Sequence, residues 1–259
     1  MSTLYLGTNL KMYKSYEETL VYIDKVTELS KKVSSNIQLF VIPSFLTIRE
    51  AIDISTKGNC WIGSQNMSEE EEGPFTGEVS PKQLKEIGVT INELGHSERR
   101  QWFGETDEKL SKKVKASSQL EMKPLLCVGE NSFEKESDAS VSTVLRQLET
   151  GLSKLKGEEY KNVMIAYEPV WAIGENGIPA DPMYVEEIHS AMRKCLVKRF
   201  GNQGNNVPML YGGSVNLDNY QELLAKNNID GLFIGRTAWD IQKFEEIILY
   251  VDSNQDQFI

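Results

Sequence analysis

The sequence predicts an α/β fold, a single-domain (β/α)8 barrel over residues 1–259. Short runs of β-branched and apolar residues alternate with longer amphipathic runs along the chain. Eight strand–helix units of about 30 residues each account for the 259 residues, as in barrels of this kind. A doubly wound sheet is the structural alternative, but no Gly-x-Gly-x-x-Gly fingerprint follows the first strand.

Eight short runs predict the strands. Each is rich in apolar side chains and short enough for a buried parallel strand. In chain order they are Leu4–Asn9, Gln38–Ile42, Cys60–Ser64, Thr90–Leu94, Pro124–Val128, Val163–Glu168, Pro208–Tyr211 and Gly231–Ile234.

The longer runs between them predict helices. The clearest helical period lies in Ser142–Leu155, where Val144, Leu148, Leu152 and Leu155 fall on one stripe. In chain order the predicted helices are Tyr16–Val33, Leu46–Ser55, Pro81–Glu86, Asp107–Gln119, Ser140–Lys156, Pro182–Arg199, Asn219–Lys226 and Trp239–Val251.

Charge and cysteine content restrict the class of protein. The net charge of −10, from 28 basic and 38 acidic residues, argues against a nucleic-acid partner, although a few cations and backbone amides can still hold a small anion. No apolar run reaches the ~20 residues of a membrane span, and the first residues do not form a secretory signal. Cys60, Cys127 and Cys195 are widely spaced, which favours buried, reduced thiols in a cytoplasmic protein.

Three polar side chains follow predicted strands, where barrels carry their chemistry. Lys11 follows the first strand and would need an anion if it faced the barrel mouth; the alternative is a surface lysine. His96 follows the fourth and precedes a short helix start, which would keep its imidazole neutral; a structural role is the alternative. Glu168 closes the apolar sixth strand, where burial would raise its pKa towards that of a general base, or an ion pair would hold it.

The last two strands end in segments suited to phosphate. Gly212-Gly213-Ser214 lies between the seventh strand and a helix, so backbone amides can approach an anion there. Gly235-Arg236 follows the eighth strand, and the loops after these two strands are the usual phosphate site of barrels. Residues 169–180 contain Pro169 and two glycines, which predicts a mobile lid.

These segments together resemble the triosephosphate isomerase family along essentially the whole chain, which implies the TIM barrel. The matching segments are Asn9–Met12, Gln65–Asn66, Phe75–Glu78, Gly95–Arg100, Tyr167–Gly174 and Tyr211–Val215. Of these, Gly95–Arg100 and Tyr167–Gly174 are the most specific to the family. The resemblance implies a cofactor-free, metal-free aldose–ketose isomerase that converts dihydroxyacetone phosphate to glyceraldehyde 3-phosphate in glycolysis and gluconeogenesis. It also implies a homodimer formed through loop 65–78.

The resemblance assigns a role to each candidate residue. Glu168 is the base, neutral His96 polarises the carbonyl, and Lys11 holds substrate charge. Asn9 shapes the oxyanion site, and Glu98 is a supporting carboxylate. The backbone amides expected to bind phosphate are those of Gly174, Ser214 and Gly235, beside the added cation of Arg236.

The sequence departs from the family pattern where substrate length would be set. The lid tip reads Glu175–Ala180 in place of Thr-Gly-Lys-Thr-Ala, one residue longer, with Glu175–Pro179 as the altered part. Arg236 replaces the second glycine of a pair, and Leu10 and Tyr13 replace Trp and Asn. These changes resemble a subgroup that acts on L-erythrulose 1-phosphate in tetritol breakdown, which is the alternative substrate. An inactive, phosphate-binding barrel is a third hypothesis.

Overall fold

The computed structural model describes residues 3–174 and 177–258 and is a closed barrel of eight parallel strands in sequence order. The barrel closes where β1 pairs with β8, with Gly7 opposite Phe233. The strands are β1 (Leu4–Asn9), β2 (Ile37–Ile42), β3 (Cys60–Ser64), β4 (Ile91–Leu94), β5 (Lys123–Val128), β6 (Met164–Tyr167), β7 (Met209–Tyr211) and β8 (Gly231–Phe233). The predicted fold class is therefore confirmed.

Eleven α-helices among the described residues surround the strands. They are α1 (Tyr16–Ser30), α2 (Ile48–Ser55), α3 (Pro81–Ile87), α4 (Ser97–Phe103), α5 (Asp107–Gln119), α6 (Ser132–Glu136), α7 (Ser140–Gly151), α8 (Pro182–Phe200), α9 (Tyr220–Leu224), α10 (Arg236–Trp239) and α11 (Ile241–Ser253). None of them is long and apolar enough to cross a membrane.

Two predicted helices are too long. Residues 31–33 and 152–156 lie outside α1 and α7, although the sequence analysis placed them in helices. Leu152 and Leu155 are buried on the predicted stripe, but they pack from a turn that follows Gly151, a poor helix former. All other predicted ends of strands and helices lie within two residues of the observed ones. Glu168, predicted as the last residue of the sixth strand, is instead the residue that follows β6. The short helices α6 and α10 were not among the predicted elements.

Alternation along the strands places the inner core and the site residues on the same face. Phe40, Ile91, Leu125 and Phe233 belong to one cluster inside the barrel, separate from the layer between strands and helices. Because side chains alternate, the inward face continues from Ile91 to Glu93 on β4 and from Leu125 to Cys127 on β5. On β6 the same face runs through Met164 and Ala166 to Glu168. The sheet therefore delivers polar side chains to the end of an apolar core.

The three cysteines are free thiols, as the sequence predicts. Cys60 and Cys127 are buried, whereas Cys195 is only half-buried on α8. The expectation that all three are buried is therefore wrong for Cys195. Cys195 packs against the edge of the core, with Sγ 3.7 Å from a carboxylate oxygen of Glu149 on α7, and its side chain stays partly open to solvent.

Candidate active site

A cavity of about 410 Å³ opens at the carboxyl ends of the strands. Every site residue named from the sequence lines it, although the residues come from segments spread over the whole chain. They are Asn9, Lys11, His96, Glu98, Glu168, Gly174, Ser214, Gly235 and Arg236. The structure therefore brings all nine together, and the strand-end positions explain why.

Glu168 is buried at the floor of this cavity. Its backbone N–H donates to the carbonyl of Val128 over 2.8 Å, which continues the β5–β6 ladder one residue past the strand. Two glycines leave room for it: a Cβ on Gly212 would lie 2.7 Å from Glu168 Cγ, and one on Gly129 would overlap its carbonyl. Burial raises the pKa of Glu168 to about 7, and Oε2 has no hydrogen-bond partner among the described residues.

His96 faces Glu168 across the cavity, with Nε2 3.9 Å from Oε2 of the glutamate. It is the N-cap of α4, and its Nδ1 accepts the backbone N–H of Glu98 over 3.2 Å. Because Nδ1 is an acceptor, the proton of the neutral ring lies on Nε2 and points into the cavity. Burial, followed by the charge of Lys11, lowers the pKa of His96 to about 4, so the ring is an uncharged donor near neutrality.

Lys11 lies beyond β1 in left-handed backbone, with φ +51°, which is rare for a residue with a side chain. Asn9 holds this turn by accepting the Lys11 N–H over 2.6 Å, and Gln65 donates to the Lys11 carbonyl over 2.8 Å. The ammonium group reaches the cavity, where Nζ is 2.6 Å from Glu98 Oε1. The lysine is thus positioned by a strained turn and not by strand alternation.

The opposite side of the cavity is suited to an anion. Gly174 from the lid, Ser214 after β7 and Gly235 before α10 present backbone there. Arg236 is the first residue of α10, so this position needs no left-handed backbone and accepts an arginine in place of glycine. Its Nη2 donates to the Gly174 carbonyl over 2.6 Å and joins the strand-eight loop to the lid. Lys243, which the sequence analysis missed, adds a cation from α11.

A buried carboxylate that the sequence analysis missed anchors the start of the lid. Glu130 follows β5 and accepts hydrogen bonds from Trp171 Nε1 and the Tyr184 hydroxyl, each over 2.8 Å. A third donor is the Tyr167 hydroxyl at 3.1 Å. The strand-end rule that selects Glu168 would also have found Glu130. The predicted tip residues Glu175 and Asn176 lie outside the described residues.

One cluster in the described part of the chain has donor atoms close enough to hold a metal ion. Glu93, His96 and Glu168 each offer one atom, all within 4.8 Å of one another. The proton on His96 Nε2 occupies the lone pair that an ion would need there, and Lys11 adds a positive charge nearby. The cluster is therefore better suited to proton transfer than to metal binding. Glu93 also escaped the sequence analysis.

Comparisons with known proteins agree with this site. The model of the triosephosphate isomerase family matches residues 4–251. A protein of Rhizobium etli named L-erythrulose-1-phosphate isomerase is 40% identical over 255 residues, which cover 98% of this chain and 94% of the relative. Proteins of that name from Brucella abortus and Mesorhizobium japonicum are also 40% identical. The match to the Brucella protein covers 96% of both chains, and the match to the Mesorhizobium protein covers 94% of this chain and 95% of the relative. The chain belongs to the triosephosphate isomerase family and is an isomerase acting on sugar phosphates.

Proposed function

We propose that Glu168 and His96 carry out the isomerisation through an enediolate. The Glu168 carboxylate takes a proton from the carbon beside the substrate carbonyl, and the electron pair of that C–H bond forms a carbon–carbon double bond. The carbonyl oxygen takes up the negative charge, which the Nε2–H of His96 and the ammonium of Lys11 stabilise. His96 Nε2 then gives its proton to this oxygen and takes up the proton of the hydroxyl on the adjacent carbon, which becomes the new carbonyl. Glu168 returns its proton to the former carbonyl carbon. The observation that carries this proposal is the 3.9 Å approach of His96 Nε2 to Glu168 Oε2 within one cavity.

The acidities of the two groups support these roles. A base with a pKa of about 7 is half ionised at neutral pH and remains strong enough to accept a carbon-bound proton. An imidazole with a pKa of about 4 stays neutral and can donate its Nε2 proton without carrying charge into the ground state. Both values arise chiefly from burial, so the apolar barrel interior tunes the two groups together.

The remaining cavity residues bind the substrate in this proposal. Asn9 lies beside Lys11 at the reacting end, and Glu98 holds the lysine in place. The backbone amides of Gly174, Ser214 and Gly235, with the guanidinium of Arg236, bind the phosphate. Closure of the lid over the phosphate would exclude water from the enediolate. No step of this mechanism requires a cofactor or a metal ion.

We further propose that L-erythrulose 1-phosphate is the preferred substrate. The relatives that cover nearly the whole chain carry this name, which supports a role in tetritol catabolism. In a 1-phosphorylated tetrulose the same proton transfer moves the carbonyl from C2 to C3, so both partners are ketoses. Dihydroxyacetone phosphate is the second candidate, favoured by the complete set of isomerase residues in the cavity, and would place the chain in glycolysis and gluconeogenesis.

A comparison of kcat/KM on the two substrates tests this choice. We expect a preference for L-erythrulose 1-phosphate of roughly tenfold or more, the discrimination that one carbon unit allows. The enzyme should be produced in a host that lacks its own triosephosphate isomerase, because a trace of that diffusion-limited enzyme would dominate the assay. Faster turnover of dihydroxyacetone phosphate would overturn the four-carbon proposal. Binding of inorganic phosphate without turnover of either sugar would favour the inactive barrel.

We also propose a homodimer formed through loop 65–78. Residues 70–78 are all exposed, including 45% of Phe75. Neighbouring strand-end segments expose further large apolar side chains, which are Met12, Phe45, Leu46, Trp102 and Phe103. Such a concentration of apolar surface is typical of an interface.

Light scattering at micromolar concentration tests the dimer. We expect twice the chain mass of 29.3 kDa for the wild type and a monomer for Phe75→Glu. Phe133→Glu is the matched control, since Phe133 is 76% exposed on α6, outside this surface. A wild-type monomer, or an equal response to both substitutions, would contradict the proposal.

Two coarser properties complete the proposal. Residues 1–259 form one domain, because the pairing of β1 with β8 joins both ends of the chain in one sheet. The protein works in the cytoplasm, where free thiols remain reduced and phosphorylated sugars are retained. Cell fractionation with an antibody to the native chain would check the second point.

A further inference from the structure

Glu93 is a carboxyl side chain inside the barrel that the proposed reaction does not use. It lies on β4, two residues after Ile91 on the inward face, and has no exposed surface. It does not line the cavity but lies behind Asn9, which does. A buried carboxyl group in an apolar core carries a large desolvation cost when it ionises, so its position calls for a specific partner.

That partner is the carboxamide of Asn9. Asn9 Nδ2 donates to Glu93 Oε2 over 2.6 Å, while Asn9 Oδ1 accepts the Lys11 N–H over 2.6 Å. The nitrogen of the amide thus donates to Glu93 and the oxygen accepts from Lys11. A 180° rotation that exchanged the two atoms would break both hydrogen bonds and is prevented. One N–H of the amide remains for the cavity. Glu93 therefore determines which atom of Asn9 is presented to a substrate oxygen.

The surroundings of Glu93 favour its uncharged form. Cys127 Sγ on β5 lies 4.0 Å from Glu93 Oε1, so this oxygen has no strong donor. Burial and the negative charge of Glu168 raise the pKa of Glu93 well above its usual value. The titratable and charged groups that face it or its immediate neighbours are Lys11, His96, Glu98, Arg100, Cys127 and Glu168. The hydrogen bond from Asn9 and the charge of Lys11 both lower the pKa of Glu93, but burial and the charge of Glu168 raise it by more.

We propose that Glu93 is a positioning residue that works as an uncharged carboxylic acid, holding the Asn9 carboxamide for the substrate without placing a second negative charge beside Glu168. The acid accepts from Asn9 through its carbonyl oxygen and keeps its proton on the oxygen that faces Cys127. This arrangement leaves Glu168 as the one carboxylate of the pair that ionises in the working pH range. The inference rests on the proposed roles of Glu168 and Asn9.

Substitutions at Glu93 separate an uncharged acid from a working anion. Glu93→Gln keeps the volume and the acceptor for Asn9 but cannot ionise, so we expect kcat within about tenfold of wild type. Glu93→Leu removes the acceptor, and the freed amide should lower kcat by roughly 10²-fold with a smaller change in KM. Ile91→Val, on the same face of β4, is the control for a general disturbance of the core. Circular dichroism and thermal unfolding would verify that each variant folds.

The pH profile gives a readout that a merely structural role would not move. The acidic limb of kcat/KM reports the ionisation of Glu168. If Glu93 is uncharged, Glu93→Gln leaves the midpoint of this limb where it is in the wild type. Removing a working anion would shift the midpoint to lower pH by about a unit or more, since a like charge raises the pKa of its neighbour. That shift, or a 10²-fold loss in Glu93→Gln, would overturn the proposal.

A double-mutant cycle tests whether Glu93 acts through Asn9. The combination of Asn9→Ala and Glu93→Leu should cost little more than Asn9→Ala alone, and additive losses would overturn the positioning role. Infrared spectroscopy keeps the test independent of turnover. At about pH 8.5, where an ordinary carboxyl is ionised, the wild type should show an un-ionised carboxyl band that Glu93→Gln loses and Glu168→Gln keeps. A wild type without that band contradicts the inference, whereas absent turnover with the band intact contradicts only the proposed function.

Discussion

Replacing Glu168 by glutamine is expected to lower kcat by about three decades or more while the barrel stays folded. Glutamine has the same volume and fits the space left by Gly129 and Gly212, but its amide cannot accept the carbon-bound proton. The measurement is kcat on the better of the two sugar phosphates, with circular dichroism to confirm the fold. Turnover within tenfold of the wild type would overturn the assignment of the base.

The same variant should gain stability at high pH, which distinguishes lost chemistry from lost structure. The pKa of Glu168 is raised by burial from 4.5 to about 7, so between these values the unfolded chain releases a proton that the folded chain keeps. Stability from this group is therefore full below pH 4.5 and is lost as the pH rises to about 7. Above that range the glutamine variant avoids a cost of about 3 kcal/mol. Its advantage in unfolding temperature should shrink as the pH falls; an advantage that did not change with pH would contradict this account.

Replacing Lys11 by methionine is expected to lower kcat/KM by roughly 10³-fold. Methionine keeps most of the side-chain length but removes the ammonium group that lies next to Asn9 at the reacting end of the cavity. The loss should fall mainly on kcat, because the developing enediolate carries more charge on its oxygen than the ground-state carbonyl does. Glu98 loses its partner, but its side chain is 48% exposed and water can solvate it.

Lys14→Met is the matched control for this experiment. Lys14 follows the same turn, but its ammonium lies over the Tyr22 ring, 5.0 Å from the centroid, and does not line the cavity. We expect kcat/KM near that of the wild type for this variant. A similar loss in both variants would show that net charge, and not the position of Lys11, matters. A loss below tenfold in Lys11→Met would remove the lysine from the proposed mechanism.

Strand positions and most site residues could be predicted from the sequence because two physical rules act locally. Apolar runs between polar turns define the strands, and parallel strands of a barrel end at one rim. Glu168 comes one residue after β6 and His96 two residues after β4, so their meeting in one cavity follows from the count of strand–helix units. The helix ends were harder to predict, as in α7, because buried leucines continue the apolar stripe after the helix has stopped.

Glu93 shows what the sequence alone does not reveal. In a linear sequence a carboxylate inside a short strand has the appearance of a solvent-facing residue in an alternating pattern. Only closure of the sheet turns that face inward and brings the side chain within 2.6 Å of Asn9, which is 84 positions earlier in the chain. Lys11 is a second case, because its side chain reaches the cavity through left-handed backbone. A lysine at this position gives no indication of that conformation in the sequence.

Gly129 and Gly212 have a consequence for how this enzyme can evolve. Each lies against Glu168 so closely that even a methyl group would displace the base. In a saturation library selected for turnover, these two positions should be as intolerant as the reacting groups themselves, although they contribute no chemistry. We therefore expect changes of substrate range to arise at the rim, where the Tyr13 ring packs at a tilt against Trp239 and Arg236 reaches the lid.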